Sequence, residues 1–436
     1  MKEIRRSETN TVQYDSFKHY LVGFNRCNNL TINVSIKGHM DYDMLKAAIR
    51  KVMENHESFR AGFEYTGDNF YYIVYDELRS TIEMQEAEGA DEAEKFANVM
   101  ASIGQMQSQT VDPFNDQLAK AVIYRISDEY NIVSFCVNHM VSDGYSQYVL
   151  MNELLACLTS DTPLQPEALS YCDYCDECKA CLESDEGKES AEFWRNNMMR
   201  YSSELMPEHQ GKRKEKTGVP KLRKIIGADI KQKIMDYSKK NGVSEFTVIE
   251  AAYQLCVARF NNTESPALMI AFANRNDVRT ANAVGFYADG YLSIAEYQED
   301  QKVADFVRSR LQSQSEYEKH LKGHDCRLTS GYEDTRKAST PYMISYINFG
   351  NGALTNGMKI GDYTVQTVVP EIDSYYPQMF FIIGLSSESA IAFELTYDLN
   401  LFADDYAQEF LDALEEMIVA IADEKAETVS ELVEGV

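Results

Sequence analysis

The chain has 436 residues, 44% of them hydrophobic, enough to fill a sizeable core and, by length, two or three domains. Its 42 Lys and Arg stand against 69 Asp and Glu, a formal net charge of −27, which argues against nucleic acid or an anionic membrane as partner. Nine cysteines in a large chain whose charged first stretch, MKEIRRSETNTVQ, has no apolar run behind it predict reduced thiols in a soluble, cytoplasmic protein.

Helix and strand patterns alternate along the chain. YDMLKAAIRKVMENHESFR places Leu45, Ala48, Ile49 and Val52 at i, i+3, i+4 and i+7, an amphipathic helix ending near His56. FYYIVYDE and LAKAVIYRI read as strands rich in β-branched and aromatic residues. In NIVSFCVNH, side-chain alternation puts Val133, Phe135, Val137 and His139 on one face and Ile132, Ser134, Cys136 and Asn138 on the other. SQYVLMNELLACL returns to helical spacing, so the intervening HMVSDG occupies a strand-to-helix loop, where reactive groups are commonly displayed. GKRKEKTGVPKLRK (Gly211–Lys224), basic and holding Gly and Pro, reads as a linker or loop between two halves. SEFTVIEAAYQLCVARF predicts a long buried helix with Ser244 as N-cap. ALMIAFANR and AIAFELTYDLNLF read as strands, and YAQEFLDALEEMIVAIADE as a closing amphipathic helix. The longest apolar run, MFFIIGL (Met379–Leu385), is far short of a membrane span.

The loop HMVSDG holds the residues with chemistry. A base that takes a proton from an alcohol, amine or thiol needs a pKa near neutrality and a fixed orientation. His139 at a strand end meets the second need. A carboxylate four residues later, Asp143, can fix the loop by pairing with an arginine from elsewhere, and Gly144 permits a tight turn and close backbone approach to substrate. H-x-x-x-D-G alone is a weak signal, equally met by an ordinary histidine at a strand end. CDYCDECKAC spaces Cys172, Cys175, Cys178 and Cys181 three apart, which invites a metal reading. On a helix, however, that spacing drifts by about 60° per step, so the thiols fan apart and no metal is expected.

The company of the loop resembles a known family, the condensation-domain branch of the chloramphenicol-acetyltransferase-like acyltransferases. NHMVSDGYSQYVLMNELLACL is similar to its HHxxxDG signature and following helix, with Asn138 in the first His position. HESFRAGF resembles its HExLRTxF segment, YCDYC its YxDYA element, EFWRNNM its YWxxxL element, and IAFANRNDVRTANAVGFYADGYLSI its GR…GxFxNTLPLR region. In that last region Asp289 and Gly290 stand for Asn-Thr and the final Pro-Leu-Arg is absent. The matches keep family order over nearly the whole chain.

The resemblance implies an α/β fold of two similar lobes, each a mixed sheet flanked by helices, arranged as a V with a tunnel between them. The expected division is 1–180, carrying the motif, and 181–436. His139 is then the general base, Asp143 a structural residue pairing with Arg60, Asn138 a structural position, and Gly144 the point of approach for the reacting carbonyl or pantetheine arm. The implied activity joins a thioester-activated acyl group to an amine or alcohol, as amide or ester, with no bound cofactor. The donor is an acyl or peptidyl carrier protein's phosphopantetheine thioester supplied in trans, and the protein is expected to be a monomer. The alternatives are a CoA-dependent O- or N-acyltransferase of the same superfamily and a catalytically silent carrier-binding module, the latter favoured by Asn138 and the altered GFYADGYLSI. The basic run Lys212, Arg213, Lys214, Lys216, Lys221, Arg223 and Lys224 reads first as a solvated loop, and second as a docking patch for a carrier or CoA phosphates.

Overall fold

A computed structural model of the chain describes residues 1–21, 29–160, 162–200, 220–321, 340–348, 357–369, 380–399 and 401–435. In order, the elements begin β1 (Glu3–Glu8), α1 (Thr11–Leu21), β2 (Asn29–Lys37), α2 (Tyr42–Asn55), β3 (Ala61–Tyr65), β4 (Phe70–Tyr75), β5 (Thr81–Glu86), α3 (Glu92–Ser108), β6 (Ala119–Ser127), β7 (Tyr130–Asn138), α4 (Gly144–Thr159) and α5 (Tyr171–Glu183). There follow α6 (Asp185–Met199), β8 (Lys221–Ile226), α7 (Ala228–Asn241), α8 (Glu245–Asn261), β9 (Ala267–Phe272), β10 (Asp289–Ile294), α9 (Val303–His320) and β11 (Tyr342–Asn348). The chain closes with β12 (Met358–Ile360), β13 (Tyr363–Thr367), β14 (Phe380–Ser386), β15 (Ile391–Tyr397), α10 (Asp404–Ala422) and α11 (Val429–Glu434).

Two compact units result. The first is Met1–Ala180 together with Ala273–Asp289 and Ala353–Asp373; the second is Cys181–Phe272, Gly290–Gly352 and Ser374–Val436. The first unit therefore takes in two segments from far downstream. One of them supplies β12 and β13, which extend a six-stranded sheet of order β12-β13-β2-β7-β6-β5. All its pairings are antiparallel except β5 with β6. A smaller sheet, β1-β4-β3, completes the unit.

The predicted periodicities account for how this unit packs. Leu45, Ala48, Ile49 and Val52 of α2 are all buried, and Asp41 caps the helix by accepting from the Asp43 and Met44 amides. The alternation of β7 divides two cores. Val133, Phe135 and Val137 enter the large cluster with α2 and α4, while Ile132 and Cys136 join Val99, Ile103 and Met106 of α3.

The second unit has one six-stranded sheet, β10-β9-β11-β14-β15-β8. Its β9, β11 and β14 run parallel, and β15 and β8 are added antiparallel. The core is dominated by α8, buried from Thr247 to Ala258 and capped by Ser244, whose side chain accepts from the Thr247 amide.

One expectation needs correction here. Lys221, Arg223 and Lys224, read as part of a linker and basic patch, lie in β8, at the edge of this sheet. Their charges meet acids: Lys221 lies 2.8 Å and Arg223 3.9 Å from Glu394, and Lys224 lies 2.7 Å from Asp412 and 2.6 Å from Glu415. Composition suggested a loop, but long-range pairing with β15 and α10 made a strand of it. Lys212, Arg213, Lys214 and Lys216 fall outside the described residues.

Candidate active site

The site is built where β7 gives way to α4. Asn138 is the last strand residue and sits opposite Asn29 of β2. It is fully buried; its Nδ2 donates to Asn29 Oδ1 at 3.2 Å and its Oδ1 accepts the Met140 amide at 3.0 Å. That second bond ends the strand and starts a 3-10 turn, His139–Val141. His139 is thus the first residue of a turn rather than the last of a strand. Asn29 is itself anchored, donating to the carbonyls of Met106 and Gln109.

His139 is partly exposed, with its Nδ1 buried. Its ring packs against Phe286, with centroids 4.5 Å apart and planes tilted by 56°. Burial, only partly offset by hydrogen bonding with its own backbone, by the nearby Asp143 carboxylate and by the Ser142 backbone, pushes the imidazole pKa down from its ordinary value, so the ring is neutral at pH 7.

Asp143 does entirely different work. It is fully buried and caps α4. Its Oδ1 accepts from the Ser146 amide and hydroxyl, both at 2.8 Å, and from Arg275 Nη2 at 2.9 Å. Its Oδ2 accepts from Arg275 Nη2 at 3.0 Å and from the amides of Tyr287 and Ala288 at 3.0 and 3.1 Å. Both oxygens are saturated, so this carboxylate has no capacity left for substrate or for His139.

The expected pairing of Asp143 with Arg60 is therefore incorrect. The partner is Arg275, in the loop after β9, which also donates through Nη1 to the carbonyls of Thr280 and Ala283. Its guanidinium lies 4.1 Å from the Tyr287 ring centroid and 4.8 Å from that of Tyr145. Arg60 sits in the 3-10 turn after α2, and its Nε is buried without a partner among the described residues. The family resemblance had implied Arg60. The true partner is 132 positions away, and its one visible signal was the arginine of FANR in the later matched region.

The 273–289 segment is held in the first unit by more than this pair. Ser146 Oγ accepts the Gly285 amide at 3.1 Å and lies 3.0 Å from the Gly285 carbonyl, while Ser58 donates to the Val284 carbonyl at 2.6 Å. A Cβ at Gly285 would lie 2.5 Å from the Tyr171 ring and 2.7 Å from that of Tyr287, so this approach admits glycine alone. Gly144, the first residue of α4, is exposed.

Beside this frame lies a cluster that sequence reasoning missed. His56 is fully buried and bridges Glu167, 2.7 Å from Nδ1, and Glu153, 2.8 Å from Nε2. Burial alone would lower its pKa, but the bonds to Glu153 and Glu167 outweigh that and hold it up at about 9. Next to it, Glu57 accepts the first amides of α5, from Tyr171 and Cys172. Burial, aided by Glu167, raises its carboxyl to about 7 against those bonds. The α5 helix carries Cys172 and Cys175 buried and Cys178 and Cys181 partly exposed, as the helical reading of that run predicts.

The sequence model of the family described as "Condensation domain" matches residues 17–434. The chain belongs to the condensation-domain family. Among curated proteins it is 23% identical over 264 residues to enniatin synthase of Fusarium equiseti, a match covering 59% of this chain and 8% of that protein. It is 21% identical over 394 residues to bacitracin synthase 1 of Bacillus licheniformis, covering 88% of this chain and 7% of that protein. The chain thus spans under a tenth of the length of these relatives. Among solved structures, the condensation domain from monacolin K polyketide synthase MokA has a TM-score of 0.81 at 15% identity, covering 98% of this chain and 100% of that one. The starter condensation domain of rhizomide synthetase RzmA, in complex with C8-CoA, has a TM-score of 0.79 at 11% identity, covering 98% and 96%. At such identities the likeness is one of fold, and the expected mixed α/β architecture, here with two six-stranded sheets flanked by helices, is what the chain adopts. In this condensation domain the departure at Asn138 falls on a structural post, tied to Asn29 and to the Met140 amide. No helix among the described residues is long and apolar enough to cross a membrane.

Proposed function

We propose that this condensation domain joins a thioester-activated acyl group to an amine or alcohol, with His139 as general base. The observation that carries the reading is a neutral, partly exposed imidazole beside a carboxylate wholly taken up in structure. A neutral imidazole can accept the proton of an acceptor N–H or O–H as that atom attacks the thioester carbonyl. Collapse of the tetrahedral species expels the thiolate, which takes the proton back from the imidazolium, so the histidine is returned neutral. Gly144, exposed and without a side chain at the start of α4, leaves room for the donor's arm.

The donor in this reading is the phosphopantetheine thioester of a carrier protein supplied in trans. The C8-CoA bound to the rhizomide synthetase domain favours acyl-CoA as a second donor class. Intact-mass measurement of acyl transfer, with holo carrier proteins from the same gene neighbourhood and with acyl-CoA, separates the two. His139→Ala should cut transfer by about 10² or more while leaving donor binding nearly unchanged. Transfer by His139→Ala at the wild-type rate would sink the base. A wild type that binds its carrier and transfers nothing would make the protein a binding module.

A further inference from the structure

A histidine side chain has a broad, roughly two-fold χ2 torsion, so a catalytic imidazole needs something to choose its orientation. At His139 that choice involves backbone. Hydrogen bonding with its own backbone and with that of Ser142 acts on the ring. Ser142 also closes the turn, its amide donating to the His139 carbonyl at 3.3 Å. The path of the chain at Ser142 therefore bears directly on where the ring points.

The residues on either side of Ser142 are fixed from outside the turn. The Met140 amide is held by Asn138 Oδ1 at 3.0 Å, and the Met140 carbonyl accepts from Gln13 Nε2 of α1 at 2.7 Å. Beyond it, Asp143 is fixed by Arg275 and by the amides of Ser146, Tyr287 and Ala288. Ser142 lies between these anchors, fully buried, and its Oγ accepts from Gln147 Nε2 at 2.9 Å. Gln147 is seated in the first turn of α4, its amide donating to the Asp143 carbonyl at 3.3 Å. It is 8% exposed, and its Oε1 is buried without a partner among the described residues. One hydrogen bond made and one buried carbonyl left unmet nearly cancel in stability, so folding alone gives little reason for an amide at this position.

We propose that Gln147 is a positioning residue for His139, holding the Ser142 backbone in the place from which it meets the imidazole. This rests on the reading of His139 as the base. The link reaches the ring through a neighbour's backbone and brings no new charge to it, so the imidazole stays neutral while its direction is fixed.

The test uses the full chain with 13C-labelled histidine, the His139 resonance being assigned by its loss in His139→Ala. Gln147→Met keeps the length and bulk of the side chain but not its donor. Since the Ser142 backbone acts to raise the His139 pKa, releasing it should move the His139 titration further down, by about 0.3 pH units or more. With octanoyl-CoA and an amino-acid thioester as probes, kcat should fall about fivefold or more while KM barely moves. Ser142→Ala, which removes the other half of the bond, should do the same, and the double variant should be no worse than either single; losses that add overturn the link. Should Gln147→Met fail to fold, Ser142→Ala is read in its place, and should the probes give no turnover, the titration decides alone. Wild-type titration and rate in Gln147→Met and Ser142→Ala, with His139→Ala inactive, overturn the positioning role and leave the base standing. Full transfer by His139→Ala overturns the base and the positioning role with it.

Discussion

Replacing Arg275 by alanine should strand a carboxylate. Asp143 and Arg275 are 0% and 6% exposed at the side chain, so solvent cannot screen what is left behind. Removing either member of such a buried pair typically costs about 3–5 kcal/mol. Asp143 would keep Ser146, Tyr287 and Ala288 as donors, which places Arg275→Ala toward the lower end, while Asp143→Ala also uncaps α4 and lies toward the upper. The sole tryptophan, Trp194, is in the second unit, so its fluorescence watches the wrong half of the chain. Hydrogen exchange of α4 amides reads the opening free energy where the pair sits. The double variant should lose less than the sum of the two singles by about 1–3 kcal/mol, whereas Arg60→Ala with Asp143→Ala should add to within about 0.5 kcal/mol. Additivity at 143 and 275, or coupling at 143 and 60, would refute the assignment of the partner.

Asn138→Ala should destabilise by about 1–3 kcal/mol, since it leaves Asn29 Oδ1 and the Met140 amide short of a partner. Acyl transfer by the folded fraction should stay within a few-fold of wild type, which thermal melts and rate measurements on the same sample will show. Stability should also fall as pH rises. The folded pKa of His56 is raised from 6.5 to about 9, so its contribution is full below about pH 6.5 and lost as pH climbs through about 9. Glu57 is raised from 4.5 to about 7, so the folded state prefers its protonated form and is weakened as pH rises from about 4.5 through about 7. Urea midpoints measured across this range should decline steadily, and His56→Gln should flatten the alkaline part; a curve rising toward pH 9 would contradict both assignments.

Local pattern explains the parts of the fold that were legible in advance. The stripe on α2 and the two faces of β7 are periodicities, and Ser244 before α8 is a cap with a short-range partner. Family order pointed to Asn138, His139, Asp143 and Gly144, which run from the last residue of β7 to the first of α4. What stayed illegible is long-range. Lys221–Lys224 look like a loop until Glu394, Asp412 and Glu415 are brought beside them. Arg60 and Arg275 carry the same charge, and nothing in their neighbours says which will meet Asp143. The His56 bridge needs Glu153 and Glu167, which lie about a hundred positions downstream of it in α4 and the stretch before α5.

The borrowed segments of the first unit have a consequence for how the protein is made. Asp143 reaches its final donor, Ala288, across 145 positions of chain, and β2 waits still longer for β13. At ribosomal speeds of about 5–20 residues per second, the carboxylate is without Arg275, Tyr287 and Ala288 for roughly 7–30 s after it is synthesised. During that time β2 also presents an open edge to any nearby nascent chain. The half of the molecule made first is therefore the half completed late, and the burden on chaperones should fall there rather than on the second unit.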